Sequence, residues 1–272
     1  MKIILFTVDQ SFSVSVAALT GELIRAVNGI LTLAYLTATN ESRDPGEFIL
    51  DQTSKLLGDI KVERRRQEGD SLDEIMALIK AENYDLAVFE ERRRRGIFPT
   101  EQDSLVQKVI QHSPIPILLL RQKSNKFEKV LICSGGTNIS EPAIELGANI
   151  ASKLNAETAL LHVEDKVPTI YRIAGVRNDK LSNIMSEDTP LAKHLHRCGE
   201  IFKEHDLKIE TLIKHGVVDE TIIDTAHKDN FDLVVLGASW SRKKLAGFLM
   251  GDITSELIKR MNSAILIVKT GI

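Results

Sequence analysis

The sequence predicts an α/β protein made of two tandem, doubly wound domains, each with five parallel strands. The first observation is a repeat, in which Gly69 and Tyr84 return as Gly216 and Phe231, each 147 residues further along. Both aromatic residues precede an Asp-Leu pair. The second observation is that short apolar runs alternate with amphipathic segments in both halves. Two matched landmarks at one spacing indicate a duplicated domain.

In the first half, five apolar runs predict strands and four amphipathic segments predict helices. The strands are predicted at 2–8, 29–36, 60–65, 85–89 and 116–120, and the helices at 13–26, 47–57, 71–82 and 101–111. Ser71 and Glu74 precede the apolar positions of the third helix at the spacing of a capping box. We therefore expect reciprocal hydrogen bonds from these two side chains at the start of that helix.

The second half repeats this order of elements. Its strands are predicted at 129–134, 157–163, 208–214, 232–237 and 264–268. Apolar runs that alternate with helices indicate parallel strands, buried on both faces and joined by right-handed crossovers. The predicted domains are 1–122 and 127–272, with the polar segment 122–127 as their linker. The spacing between the copies grows after the second strand, which indicates an inserted segment at about 164–190.

The composition is that of a globular protein, with 43% hydrophobic and 27% charged residues. A net charge of −3 gives no case for binding to nucleic acid or to a membrane surface. An apolar strand follows Met1 directly, so neither a signal peptide nor a membrane span is predicted. Cys133 and Cys198 are the only cysteines, which favours free thiols in a reducing compartment. We expect a cytoplasmic protein.

A ligand site is expected at the carboxyl ends of the strands, in the loops after the first and fourth strands of each half. In the second half, the chain leaves its fourth strand at Gly237, crosses a basic loop and enters a helix at Gly251. The backbone N–H groups at such a helix start, together with the hydroxyls of Thr254 and Ser255, are suited to hold phosphate.

This strand-loop-helix segment resembles the motif of the universal stress protein family. Gly237 and Gly251 match the first and third glycines of that motif, and the resemblance extends over both halves. It implies a tandem, UspA-like member with a Rossmann-like fold. It also implies ATP as a candidate cofactor, with a nucleotide site formed by Gly135, Gly136, Thr137, Val163, Gly237, Gly251, Thr254 and Ser255.

The sequence departs from the family motif at several of these contacts. Trp240 stands where the second glycine is expected. Asp252 replaces the hydroxyl residue and places a carboxylate where ATP-binding members approach a phosphate, which is unfavourable without a metal or another cation. Gly135 replaces the family's acidic residue after the first strand and leaves an open, roomy loop with Gly136. In the first half, Asp9 keeps that acidic residue, but the glycine loop is lost. Each half therefore retains a different remnant of one site.

Other polar clusters have simpler interpretations. The run Arg92–Arg95 either binds an anion through its side chains or, as we favour, forms a solvated loop partly neutralised by Glu90 and Glu91. The run Arg64–Arg66 on the third strand adds to this positive charge, and a charged edge strand that is protected from pairing explains it equally well. His194, His196 and Cys198 offer only two side chains on one helix face, too few for a zinc site. We expect a surface helix there and no metal.

The leading hypothesis is a non-enzymatic, regulatory or scaffold module of the stress response, with at most degenerate nucleotide binding. No catalytic residue is assigned, because no Ser-His-Asp order or nucleophile elbow stands out. The resemblance implies that fifth strands mediate dimerisation. The apolar runs 117–120 and 265–268 are therefore predicted to pair half against half as an intramolecular pseudo-dimer, and a homodimer is the other assembly considered.

Two alternatives stay open. One is an ATP-binding switch or slow ATPase that uses the site of the second domain. The other is a binder of another small anion or an apolar ligand. In that case the inserted segment 164–190 would form a lid, although an ordinary surface loop explains it equally well.

Overall fold

A computed structural model describes residues 1–7, 13–37, 46–69, 71–90, 101–121, 126–164, 185–238 and 250–269. The chain divides into two compact units, Met1–Phe127 with Asn262–Ile267, and Glu128–Met261 with Val268–Ile272. Several residues singled out from the sequence lie outside the described ranges: Asp9, the run Arg92–Arg95, Trp240 and most of the inserted segment.

The first unit is an α/β domain with a parallel sheet. Its elements are β1 (Lys2–Thr7), α1 (Val14–Ala26), β2 (Ile30–Thr37), α2 (Gly46–Leu57), β3 (Val62–Glu68), α3 (Leu72–Ala81), β4 (Leu86–Glu90), α4 (Glu101–His112) and β5 (Ile117–Leu120). The strand order is β3-β2-β1-β4-β5, with every neighbouring pair parallel. The strand order reverses at β1, as expected for a doubly wound sheet.

The second unit repeats this arrangement. Its elements are β6 (Lys129–Ser134), α5 (Glu141–Leu154), β7 (Glu157–Glu164), α6 (Pro190–Glu204), β8 (Ile209–His215), α7 (Val218–Lys228), β9 (Leu233–Ala238) and α8 (Met250–Arg260). The strands β9-β6-β7-β8 are parallel neighbours. The α/β class with parallel sheets is therefore confirmed, and each predicted strand is present among the described residues.

The last strand, β10 (Ala264–Lys269), pairs antiparallel with β5. Ile265 lies opposite Leu119, and Leu266 lies opposite Leu118. The paired residues 265–267 belong to the first compact unit, although the sequence pattern places them as the fifth strand of the second half. All of these side chains are buried. The pairing thus adds an apolar antiparallel strand to the sheet of the first unit.

The repeated Asp-Leu pair has a structural cause. The Asp85 carboxylate accepts the backbone N–H of Lys2 at 2.7 Å. In the second unit, the Asp232 carboxylate accepts the backbone N–H groups of Glu128 and Lys129, each at 3.0 Å. In both units the aspartate before the fourth strand ties down the start of the first strand, which explains why both copies retain it.

The repeated glycines are explained by a close approach of side chains. A Cβ atom on Gly69 would lie 2.8 Å from Cδ of Glu74, and one on Gly216 would lie 2.5 Å from Oγ1 of Thr221. Gly69 also has a φ of +93°, a conformation that favours glycine. The capping-box prediction is wrong in detail. Ser71 is the N-cap of α3, but its side chain makes no capping hydrogen bond. The Glu74 side chain lies beside Gly69.

The edge-strand prediction for the arginine run is confirmed. Strand β3 stands at the end of the strand order, and its central residues are exposed. Arg65 pairs with Glu63 and Glu82, each at 2.7 Å, and Arg64 lies 3.6 Å from Asp51. These charges protect an edge from pairing with another strand.

Candidate functional site

The candidate site lies where the strand order of the second unit reverses. Strand β6 runs between β7 and β9, and Ile132 is in register with Val235. Two residues further on, β6 ends at Ser134 and β9 reaches Gly237. The loop 135–137 leaves the sheet at this point, which is where doubly wound folds bind ligands.

The two glycines of this loop differ in their surroundings. A Cβ atom on Gly135 would meet no heavy atom within 4 Å. Gly136 has a φ of +75°, and a Cβ atom there would lie 2.6 Å from Cε1 of His162. The expectation of a roomy loop is therefore correct at Gly135 and wrong at Gly136. His162, which pairs with Ser134 across β6 and β7, fills the space beside the second glycine.

A chain of buried hydrogen bonds connects this loop to β6 and α6. The N–H of Gly136 donates to Oγ of Ser134 at 3.0 Å, and that oxygen lies 2.7 Å from Nε2 of His194. The Nδ1 atom of His162 lies 3.0 Å from the carbonyl oxygen of Ser134. Ser134 is 8% exposed and His194 is 5% exposed. Side chains from β6, β7 and α6 thus meet beneath one short loop.

The interpretation of His194 as part of a surface helix is wrong for this residue. His194 and Cys198 lie on the buried stripe of α6 together with Leu195 and Ile201. The Sγ atom of Cys198 is 3.4 Å from Nε2 of His194. His196, by contrast, is exposed, and its Nε2 lies 3.1 Å from the carbonyl oxygen of Met185. The helix therefore turns one histidine inward and the other outward.

Burial shifts the pKa values of His194 and Cys198. Desolvation lowers the pKa of His194 from its ordinary 6.5. The nearby His162 adds to the lowering, and the Glu141 carboxylate opposes it. Neutral His194 can accept the Ser134 O–H at Nε2, which assigns the ring proton to Nδ1. That Nδ1 atom is buried and has no hydrogen-bond partner within the described ranges. Burial also raises the pKa of the Cys198 thiol to about 12.

Two further residues of the predicted nucleotide site, Thr137 in the loop and Val163 on β7, lie near this cluster. Thr137 is exposed, and its carbonyl oxygen accepts the N–H of Ser140 at 3.1 Å and the hydroxyl of Ser140 at 2.7 Å. Val163 is half-buried, one residue beyond His162 on β7. The loop therefore ends in a tight turn, the 3₁₀ segment Asn138–Ser140.

The predicted phosphate-binding residues fall on α8. Gly251 is the second residue of this helix, which packs against α7 and β9. Thr254 is only 3% exposed, and Ser255 is half-buried. Residues 239–249, which include Trp240, lie outside the described ranges, as does the side chain of Asp252. Of the predicted site, the structure thus brings together Gly135, Gly136, Thr137 and Val163 around the end of β6, with Gly237 on the adjoining strand.

The described residues offer limited chemistry at this point. The contact between Ser134 and His194 has the form of a nucleophile-base pair, yet both side chains are buried, and among the described residues no carboxylate orients the imidazole. In the ranges that the structure describes, no cluster of three or more His, Cys, Asp or Glu side chains is arranged to hold a metal. The described helices likewise include none that is long and apolar enough to span a bilayer.

The fold and the loop at the strand reversal define a class of doubly wound α/β proteins whose ligand site lies at the carboxyl ends of the strands. The model of the universal stress protein family matches residues 126–269. Because this match covers more than half of the sequence, the chain belongs to the universal stress protein family.

Known relatives agree with this assignment. Universal stress protein MJ0531 of Methanocaldococcus jannaschii is 27% identical over 151 residues, which cover 56% of this chain and 87% of that protein. Universal stress protein YxiE of Bacillus subtilis is 23% identical over 150 residues, covering 53% of this chain and 99% of that protein. The crystal structure of a universal stress protein from Archaeoglobus fulgidus matches with a TM-score of 0.69 at 17% identity, covering 98% of this chain and 96% of that one. At this identity, the structural match shows the fold alone.

Ser134 and His162 carry no local sequence signal for this buried chain, and the sequence pattern placed His194 on a surface helix. His162 lies within the predicted strand 157–163, where its pattern indicates a strand residue and nothing more. One signal was available for His194, because it stands seven residues before Ile201 and four before Cys198, on the apolar stripe of its helix. The contact with Ser134 spans 60 residues of sequence, and no local pattern encodes it.

Proposed function

We propose that this chain is a non-enzymatic, tandem universal stress protein that acts as a regulatory module, with a degenerate nucleotide site in its second unit. The observation that carries the proposal is that polar groups at the end of β6 and in the loop after it form hydrogen bonds within the protein. The Ser134 hydroxyl is engaged by Gly136 and His194, and the Thr137 carbonyl is engaged by Ser140. Groups already satisfied within the protein contribute little to ligand affinity.

The residue at position 135 supports the same proposal. The family resemblance implies an acidic side chain here that meets the ribose or the adenine. Gly135 has no side chain, and the space around it is open. A nucleotide at this site loses a charged hydrogen bond worth about 1.5–3 kcal/mol. The scaffold of the site is kept, while one of its main contacts is absent.

The Ser134–His194 contact does not favour an enzyme. A serine nucleophile needs an exposed oxygen and a base that is held in orientation by a third group. Ser134 is 8% exposed, and its oxygen also accepts the N–H of Gly136. His194 Nδ1 has no partner among the described residues. These two side chains are therefore better placed to hold the loop than to catalyse a reaction.

Equilibrium dialysis with ATP and magnesium tests the proposal, together with thermal unfolding at millimolar nucleotide. We expect a dissociation constant in the millimolar range or no binding, and at most a small rise in the unfolding temperature. A ligand at 100 times its dissociation constant would stabilise the protein by about 2.7 kcal/mol, which unfolding detects easily. Micromolar binding of ATP, or release of ADP above the rate of a protein-free blank, would overturn the proposal in favour of an ATP switch or ATPase.

We also propose that the β5–β10 pairing makes the chain an intramolecular pseudo-dimer. The registered apolar residues Leu118 and Leu266 support this assembly, as does the continuation of β10 from the first compact unit into the second at Val268. Light scattering should then give the mass of a single chain, 30.3 kDa. A homodimer of twice that mass would contradict the proposal.

A cysteine pair tests the register directly. Cysteines at Leu118 and Leu266 face each other across an antiparallel pair, whose Cα separation suits a disulfide. The matched control places cysteines at Leu118 and Ile267, which point to opposite faces. Oxidation should crosslink the first pair within one chain and leave the control reduced. Intermolecular crosslinking of the first pair would favour the homodimer.

A further inference from the structure

We propose that His194 is a positioning residue for the loop 135–137 and that its protonation releases this loop. The inference rests on the proposed function only in taking this loop as part of the ligand site. It concerns side chains that the family motif does not include, and it adds a regulation of the site by pH.

The Ser134 hydroxyl links His194 to the loop. A serine hydroxyl has one proton to donate and two positions at which it accepts. Gly136 N–H occupies one acceptor position at 3.0 Å. With His194 neutral, the Ser134 proton is donated to Nε2 at 2.7 Å. The chain from imidazole to hydroxyl to loop amide is then fully ordered and holds Gly136 in its positive-φ conformation.

A proton on Nε2 of His194 turns this nitrogen from a hydrogen-bond acceptor into a donor. The imidazolium presents N–H groups at both ring nitrogens, so Nε2 no longer accepts the Ser134 proton. The hydroxyl must turn to another acceptor. The neighbouring Ser140 hydroxyl, 3.4 Å from Nε2, already donates its proton to Thr137. The Ser134 oxygen can accept the Nε2 proton beside the Gly136 N–H, but its own proton loses the ring as acceptor, so the hydrogen bond between His194 and Ser134 is reversed and carries the charge of the ring.

Among the residues that the structure describes, His194 has no counter-charge in direct contact with its ring. The titratable groups that face His194 from the packed elements are Glu141 at the start of α5, His162 on β7 and Cys198 on α6 itself. Glu141 is 33% exposed and lies 3.8 Å from Arg197. The proximity of His162 lowers the pKa of His194 further, and the Cys198 thiol, whose pKa burial raises to about 12, supplies no negative charge. A buried charge without a close partner is costly, so protonation favours a state in which His194 and the loop separate.

The sequence offers a sharp probe of this loop, because Gly135–Gly136 is its only Gly-Gly pair. In protein labelled with glycine that carries carbonyl ¹³C and ¹⁵N, only the Gly136 amide is coupled to a labelled carbonyl. The Gly136 signal is followed from about pH 8 to about pH 5, across the range in which histidine titrates. A ¹⁵N-histidine spectrum of the same unsubstituted protein reports the His194 tautomer and charge.

We expect the Gly136 signal to shift or broaden below pH 6.5 in step with the His194 ring, while the protein stays folded. His194→Gln keeps a side-chain acceptor and should abolish this titration. His196→Gln, the exposed histidine of the same helix, should leave it unchanged. His162→Gln tests the ring that contacts Gly136 directly, and the titration should survive that change.

A Gly136 signal that is invariant with pH would overturn the proposal, as would one that titrates in His194→Gln or is lost in His162→Gln alone. If a variant does not fold, the unsubstituted protein still decides, because the Gly136 and His194 signals either titrate together or do not. Nucleotide binding is measured separately, at about pH 7.5. A loop that titrates in a chain that binds ATP with micromolar affinity would retain this switch and overturn only the degenerate site of the proposed function.

Discussion

The carboxylate of Asp232 accepts the backbone N–H of Lys129 at 3.0 Å, and this contact ties the start of the first strand of the second unit to the start of the fourth. The same oxygen also accepts the N–H of Glu128. Asp85 holds Lys2 in the equivalent way in the first unit. The duplication thus preserves an anchor between strands, in contrast to the ligand loop, where the two halves differ.

Replacing Asp232 with Ala should destabilise the second unit by about 1.5–3 kcal/mol, since two N–H groups lose a charged acceptor. Urea unfolding followed by circular dichroism measures the effect. Asp224→Ala is the matched control, because Asp224 forms an exposed ion pair with Lys228 within α7 at 3.5 Å, and such a pair contributes about 0.5 kcal/mol or less. Equal losses in the two variants would contradict the anchor role.

Alanine at the two neighbouring glycines of the loop should have opposite outcomes. Gly136→Ala requires a positive φ and places a methyl group against His162, so we expect a loss of about 1–3 kcal/mol. Gly135→Ala meets open space and should change stability by less than about 0.5 kcal/mol. The double variant His162→Ala/Gly136→Ala removes the steric part only, so the two changes should be less than additive. Simple additivity would show that the ring does not contact this loop.

Acid should destabilise the protein through His194. Its pKa is lowered in the folded state, so the unfolded chain binds the proton more readily. The stabilisation is fully present above pH 6.5, the ordinary value, and is lost as the pH falls toward the lowered folded value. Urea midpoints at about pH 7.5 and about pH 5.5 should therefore differ less in His194→Gln than in the unsubstituted chain. The same difference in both proteins would contradict this assignment, and His196→Gln serves as the control.

Both native thiols should resist modification while the protein is folded. Burial raises the pKa of Cys133 and of Cys198 to about 12 in each case, and the thiolate is the reactive form. A chromogenic disulfide reagent at about pH 8 should detect almost no thiol in native protein and two per chain in urea. Thr137→Cys, which adds an exposed thiol in the site loop, should react at once. Rapid reaction of the unsubstituted native protein would show that α6 or β6 opens readily.

The sequence was sufficient to predict the repeating elements of the fold, because local periodicity encodes them. The Asp-Leu repeat marked β4 and β9, and the apolar runs marked β5 and β10. The sequence does not determine which of several neighbours a side chain contacts. Glu74, for example, lies beside Gly69, and the predicted capping box at Ser71 is not formed. The Ser134–His194 contact joins a strand and a helix far apart in sequence, and only the packing of α6 on the sheet brings them together.

The most direct measurement compares ATP binding by the unsubstituted chain with binding by Gly135→Asp, using titration calorimetry in the presence of magnesium. Gly135→Asn is the neutral control of similar size. The space around Gly135 accepts a side chain, so restoring the acidic residue should tighten binding by about tenfold or more, while the Asn variant gains less. Micromolar ATP binding by the unsubstituted chain that Gly135→Asp leaves unchanged would contradict a degenerate site.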